Sequence, residues 1–347
     1  MALSEGDSSR ELSSTLQALI WGYMPARVVH AAAQLGVADL LADGPKTAEA
    51  LAQTSNTSAG PLLRLLRALA SLSLLEDLGR NGFALTALGS QLRSNVPGSL
   101  RNFALMFGGE RAWRSWGELP HCVKTGESGT HRIYGMGSFE YLAANPDQAV
   151  IFNGAMAENT RRVTQALVSF YDFAQFRKII DVGGGNGTLL GAIIAANPSI
   201  RGVVFDLPRG NAEAHGRLAD AGVAASCEVV AGDFFRSVPE GADAYILKFI
   251  IHDWDDEQSI AILKNCHKAM HQGSKILLLE RVMPEKIEAT PTHRRMAMAD
   301  MNMLAMPGGK ERTEKEYRDL FAKAGLSIVR SLAIPGLDIG LIEAVRG

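Results

Sequence analysis

Hydrophobic and polar positions divide the chain into a helical first part and an alternating second part. From about residue 11 to 110, apolar residues recur at helical spacing, as in ALIWGYMPARVVHAAAQLGVADLLADG, which stops at Gly44-Pro45. Thr47 is placed to cap the short helix AEALAQ, and TSNTSAG reads as a turn. Pro61 suits the first position of the next helix, PLLRLLRALASLSLL. LEDLGRNGFALT then offers Asn81-Gly82 as a two-residue hairpin turn. Helix, turn, helix and hairpin in this order predict a winged-helix-like domain over residues 1–110. Residues 111–172 read as further helices that link this domain to the rest. They carry Trp113, Trp116, Tyr134, Met136, Phe139, Tyr141, Phe152 and Met156. Such a load packs a core, and where it meets a few polar groups it lines a ligand pocket.

From about residue 175 the pattern changes to short continuous apolar runs with helices between them. The runs KIIDV (178–182), GVVFDL (202–207), CEVVAG (227–232), DAYILKFI (243–250) and KILLLE (275–280) read as buried parallel strands. A helix opens at the capping box Thr313-x-x-Glu316 and stops at Gly325. LSIVRSLA and GLDIGLIEAV then flank Pro335-Gly336 as a hairpin. Five parallel strands closed by that hairpin put one antiparallel strand into the sheet. The expected fold class is α/β, a mostly parallel Rossmann-like sheet following an all-helical N-terminal domain.

Composition narrows the partners. At 347 residues the chain has room for two domains. A net charge of -2 gives no electrostatic reason to expect nucleic acid or an anionic membrane. The winged-helix order raises DNA binding, yet the helix that would enter the groove offers only Arg64 and Arg67 as charges. Its leucines cover most of its circumference, which predicts burial in a core or subunit interface. Three scattered cysteines, a polar N-terminus and no long apolar run point to a reducing cytoplasm, with neither a disulfide framework nor a membrane span.

Candidate chemistry gathers at strand ends, where open α/β sheets bind ligands. KIIDVGGGNGTLL is a strand, a glycine turn and a helix. Gly183, Gly185 and Gly187 occupy the turn, with Thr188 where a dinucleotide fingerprint has its third glycine. Asp206 ends the second strand, placed to accept hydrogen bonds from a ribose. Asp233 closes the third, where a carboxylate can receive an exocyclic amine, and Phe234 and Phe235 beside it can pack on a base. His252 falls just past the fourth strand, and Glu280 ends the fifth. His267 and His271, four apart, could face one metal, but HKAMH lacks a glutamate and a third ligand, so no metal is expected.

The set DVGGGNGTLL, VVFDLP, GDFF, LKFIIHDWDDE, LLLERVMPE and GGKERTEKEY, in this order, resembles the S-adenosylmethionine-dependent O-methyltransferases of the caffeic acid type, including their bacterial natural-product relatives. The resemblance covers nearly the whole chain. It implies a class I methyltransferase sheet and a homodimer formed through the N-terminal domain. It implies that Gly183 and Gly185 hold the methionyl part of the cofactor and that Asp206 binds its ribose, with Leu207 near the adenine. Asp233 and Phe234 would contact the adenine, and Lys248 would be a further cofactor contact. His252 matches the family's catalytic base, Glu280 and Glu311 the acids that orient it, and Asp253 follows the base. ADMNMLAMPGGKE is one residue shorter than the plant form before its double glycine, which alters the wall around Asn302, Met303 and Met306. Trp113, Phe152, Asn153, Met156, Asp253, Asn302 and Met303 are the candidate substrate contacts.

The implied reaction moves a methyl group to a hydroxyl of a hydrophobic aromatic or polyketide-like small molecule and leaves S-adenosylhomocysteine. A phenol is mostly protonated at neutral pH, so a histidine within hydrogen-bond reach is the group such a reaction needs. Two other readings stay open. One is a family member diverted to S-adenosylmethionine-assisted hydroxylation or decarboxylation. The other is a winged-helix regulator that senses S-adenosylmethionine.

Overall fold

The computed structural model describes residues 5–347 in their backbone course and the side chains from Arg10 onward. Two compact units divide the chain. The first holds residues up to Trp113 together with Val150–Glu158, and the second holds Arg114–Ala149 and Asn159–Gly347. No helix among the described residues is long and apolar enough to cross a membrane.

The first unit is mostly helical. Thr47 caps Ala48–Ser55 by accepting from the Ala50 N–H, as its position implied. Helix α1 (Ala59–Ser71) starts two residues before Pro61, which therefore sits inside the first turn, where its missing N–H has no partner to lose. It also ends sooner than the run of leucines suggested: Ser73 takes a φ of +60°, and Leu74 and Leu75 lie beyond the helix. Leu62, Leu66 and Leu69 turn into the core, and Arg64 and Arg67 are exposed. The hairpin pairs Leu75–Asp77 with Phe83–Leu85. Its connection runs from residue 78 to 82, longer than the two residues expected, because Gly79–Asn81 forms a 3-10 turn and Leu78 N–H donates to Gly82 C=O.

Helix α2 (Pro146–Phe170) has Pro146 at its start and contributes its Val150–Glu158 stretch to the first unit. There the Asn102 side-chain amide donates to Glu158 across 3.1 Å, and Gly154 lies against Asn102.

The second unit is built on one sheet. Its strands are β1 (Lys178–Val182), β2 (Arg201–Asp206), β3 (Cys227–Ala231), β4 (Ala244–Lys248), β5 (Lys275–Glu280), β6 (Leu326–Ala333) and β7 (Gly340–Arg346), in spatial order β6-β7-β5-β4-β1-β2-β3. β1 to β5 are parallel, and β7 runs antiparallel between β5 and β6. The expected single antiparallel strand is present. The loop before it, residues 334–339, is longer than a Pro335-Gly336 turn and closes through Ile334 N–H to Ile339 C=O. β4 also stops sooner than DAYILKFI suggested, because Phe249 adopts a φ of +55°.

Both sheet faces are covered. On one, α3 (Thr188–Ala196) packs Leu190 and Ile193 with Ile179 and Val204. On the other, α4 (Asp256–Ala269) and α5 (Glu314–Lys323) bring Ile262, Leu263 and Phe321 against Ile180 and Leu278. This two-sided burial is why the strands read as unbroken apolar runs. The Thr313–Glu316 capping box opens α5 as read from the sequence.

Candidate active site

The glycine turn leaves β1 with Gly183, Gly185 and Gly187 all in the left-handed region. At Gly183 a side chain would also meet the end of the Ile250 side chain, which adds to the backbone preference for glycine there. Gly185 faces open space, and its N–H donates 2.8 Å to Asp206 Oδ2. Asp206 Oδ1 takes the N–H of Leu207 at 2.6 Å. Burial pushes Asp206 up, and these two N–H groups oppose it. Leu207 is about half exposed, at 52%. Asp233 accepts from the Phe235 N–H at 2.9 Å, and Phe234 lies near Gly183, edge-on to Trp254. The cofactor candidates thus line one edge of the sheet, at the ends of β1, β2 and β3.

Two charged groups lie beneath that edge. Asp181, on β1 itself, is 2% exposed, and its Oδ2 has no hydrogen-bond partner. Burial pushes it up to about 7, opposed by Lys248 and aided by Asp206. Lys248 is pulled down by burial and held up by Asp181, Glu280 and Asp253. Asp181 was missed in the sequence because an acid inside an apolar run reads as one polar position of a strand.

His252 sits on a 3-10 turn, Ile251–Asp253, directly after β4. It is 6% exposed, Glu280 is 0% and Glu311 is 4% exposed. Nδ1 donates to Glu311 Oε1 at 3.1 Å and lies 3.4 Å from Glu280 Oε2. Nε2 lies on the other side, 3.7 Å from Asp253 Oδ1. Glu280 Oε1 accepts the backbone N–H groups of Ile250, Ile251 and His252 at 2.9, 2.9 and 3.3 Å. One carboxylate therefore shapes the turn and backs the imidazole at once. The two glutamates expected from the resemblance converge on the same ring nitrogen.

Glu311 reaches this place through a small parallel pairing of Val282–Met283 with Arg312–Thr313. Gly309 packs so closely on the His252 carbonyl that no side chain fits, and Lys310 N–H donates to that carbonyl at 2.9 Å. The Glu311 backbone N–H is held by Asp300 at 2.9 Å. Arg281 donates to Glu311 Oε1 at 2.9 Å. Arg312, fully buried, donates to the carbonyls of Ile251 and Trp254 at 3.0 and 2.8 Å and to Asp256 at 2.9 Å, pinning the loop that carries the histidine. Arg281, Asp300 and Arg312 had no periodic signal in the sequence.

The charges in this cluster act on one another at close range. Burial opposes the imidazolium of His252, but Glu280, Asp253 and Glu311 outweigh it and raise the group to about 9. Burial pushes Glu280 up to about 7 and Asp253 up to about 6. Burial also works against Glu311, yet His252 and Arg281 hold it below the ordinary carboxylate range. The ligand-capable atoms of His252, Glu280 and Glu311 lie within 4.8 Å of one another.

The substrate candidates fall in two places. Asp253, Asn302 and Met303 belong to the second unit with His252, and Asn302 Oδ1 accepts from Trp116 Nε1 at 3.2 Å. A pocket of about 360 Å³ opens beside Asp253, lined also by Ser138, Phe139, Trp254 and Gly308. Trp113, Phe152, Asn153 and Met156 belong to the first unit, where Trp113 lies against Tyr23 and beneath the guanidinium of Arg27. The histidine pair set aside in the sequence is not on one helix: α4 ends at Ala269, and His271 turns to Asp243.

Comparison with known proteins gives this geometry its family. The family model described as an O-methyltransferase domain matches residues 116–327, and one described as an O-methyltransferase dimerisation domain matches residues 17–95. A phenazine O-methyltransferase of Lysobacter antibioticus is 42% identical over 333 residues, 96% of each chain. The solved structure of a mitomycin 7-O-methyltransferase superposes with a TM-score of 0.91 at 33% identity, covering 98% of this chain and 99% of that one. That of an O-methyltransferase from neocarzinostatin biosynthesis, in complex with S-adenosylmethionine and 2-hydroxy-5-methyl naphthoic acid, gives 0.79 at 32% identity, covering 93% and 96%. The chain belongs to this family of S-adenosylmethionine-dependent O-methyltransferases with a dimerisation domain.

Proposed function

We propose that the chain methylates a phenolic hydroxyl of a flat, hydrophobic aromatic small molecule, and that His252 Nε2 takes the hydroxyl proton. The observation that carries this reading is the backing of Nδ1 by Glu311 and Glu280, which leaves Nε2 as the ring nitrogen able to accept a proton. The relatives' aromatic acceptors, a phenazine and a naphthoic acid, support the substrate class.

The residues fit the cofactor. Gly185 opens onto free space, and Asp206 stands beside it at a strand end with lone pairs to spare for ribose hydroxyls. Lys248 and the unpartnered Asp181 oxygen supply opposite charges beneath the turn for an amino-acid moiety. S-adenosylmethionine, bound there, supplies a methyl carbon already activated by a sulfonium. The chain's own residues then have to position the acceptor and manage one proton. Neutral His252 accepts that proton at Nε2, and Glu311 and Glu280 stabilise the imidazolium that results. Because the same carboxylates favour the charged ring beforehand, activity rises with pH toward about 9.

The reading needs no metal. Arg281 already occupies Glu311 Oε1, and three backbone N–H groups occupy Glu280 Oε1. A homodimer is supported by the matched dimerisation domain and by Leu12, Leu16, Leu19 and Ile20, which recur along one helix and are each about 60% exposed or more. Free cysteines at 122, 227 and 266 suit a reducing cytoplasm.

S-adenosylhomocysteine formation against a panel of phenols, phenazines and naphthoates tests the reading, with His252→Ala alongside. Turnover that falls by about 10²-fold or more in the variant is expected for a lost general base. Full activity of His252→Ala would remove the base. A product lacking one added CH₂ would point instead to a diverted reaction.

A further inference from the structure

Phe249 is the one non-glycine residue among β1–β7 and the loops just after them whose backbone takes a φ in the left-handed region, at +55°. An aromatic residue is seldom found there, and strain of this kind persists only where surrounding structure fixes it. Two features fix it here. The Phe249 N–H donates to the Leu279 carbonyl of β5 at 3.0 Å, and the next two N–H groups go to Glu280. The turn throws the ring toward His252 rather than into the alternation of β4. Its plane lies 15° from that of the imidazole, with centroids 5.2 Å apart. The Lys248 ammonium stands 4.7 Å from the centroid of the same ring, and the Arg281 guanidinium 5.2 Å.

Nδ1 contacts to Glu311 and Glu280 fix the direction of the imidazole within its plane, but two carboxylates on one atom leave the plane free to tilt. A stacked ring supplies the missing constraint. It also places a π face against the histidine, which favours its protonated form. We propose that Phe249 is a positioning residue for His252, its ring held flat on the imidazole by a left-handed backbone so that Nε2 keeps one orientation for proton transfer. This rests on the reading of His252 as the base. The groups that face the imidazole are Glu280 from β5, Glu311 from the loop before α5, Asp253 from its own turn, and Phe249; Arg281 acts on it through Glu311.

The test compares Phe249→Leu, Phe249→Gly and Phe249→Tyr with wild type. Readouts are S-adenosylhomocysteine formation across pH, S-adenosylmethionine binding by calorimetry, and the His252 titration followed by NMR. Phe249→Gly relieves the backbone while removing the ring, so it separates strain from stacking. The expected result for both Leu and Gly is a kcat lower by about tenfold with acceptor KM within about twofold, and a His252 midpoint lower by roughly half a unit to one unit. Phe249→Tyr should regain most of the rate and the midpoint. A glycine variant matching wild type, or a leucine variant with an unmoved midpoint, overturns the proposal. So does a tyrosine variant as poor as leucine. The NMR midpoint keeps the outcome separate from the base assignment: His252→Ala with full activity defeats that assignment, whereas a stacked ring still moves the titration.

Discussion

Replacing Glu280 with glutamine isolates the charge behind His252 while keeping the turn intact. A glutamine oxygen can accept the same three backbone N–H groups that Glu280 Oε1 holds. What disappears is a negative charge 3.4 Å from Nδ1. The rise of His252 from 6.5 to about 9 favours the imidazolium by about 3 kcal/mol, at about 1.4 kcal/mol per pH unit. Glu280, Asp253 and Glu311 share that rise against burial, so losing the first removes at least about a third, or roughly 1 kcal/mol. The midpoint of the kcat/KM–pH profile should therefore fall by about one unit. The amide NH₂ also becomes a donor facing Nδ1, which competes for the tautomer that leaves Nε2 free, so the plateau should drop by about 10²-fold. S-adenosylhomocysteine formation measured from about pH 6 to about pH 10 reads both quantities. A midpoint that stays put or rises, in a variant that binds cofactor normally, would refute the charge argument.

Asp206→Asn should weaken S-adenosylmethionine binding by about 10–100-fold, the worth of hydrogen bonds to a charged group, and an unchanged calorimetric Kd would take Asp206 out of the cofactor site. Arg312→Met removes the guanidinium bonds to the Ile251 and Trp254 carbonyls and to Asp256 and should cost about 2–4 kcal/mol, seen as a fall of roughly 5–15 °C in Tm; an unshifted melt would deny the clamp. Treatment with EDTA should leave turnover unchanged, since Arg281 and three backbone N–H groups occupy Oε1 of Glu311 and of Glu280; a loss reversed by adding a divalent ion would contradict this.

What could be read in advance follows from where the information is stored. Strands buried on both faces advertise themselves as apolar runs, so β1 to β5 and the groups at their ends, Asp206, His252 and Glu280, were visible in order. Glu311 was reachable only by resemblance. Its place depends on a two-residue strand pairing and on the approach of Gly309 to a carbonyl, and neither leaves a period in the sequence. Phe249 was misread as a strand residue because hydrophobic alternation carries no information about the sign of φ. Arg281 lies one residue past β5, and its partner is thirty positions away. The apolar candidates Trp113, Phe152 and Met156 read as one group with Trp116 and Phe139, yet they fall in a different unit, since a helical period does not say which core a face will join.

The insertion of β7 between β5 and β6 sets an order of events during synthesis. Gly340 pairs with Glu280, so the strand that ends in one of the acids behind His252 is an open edge until residues 340–346 have left the ribosome. Until then β6 lacks β7, its neighbour in the sheet, as well. Two unpaired apolar edges on one nascent chain are a template for self-association. A chain truncated before residue 340 would thus carry every residue proposed for catalysis, yet be unable to close the sheet that holds them.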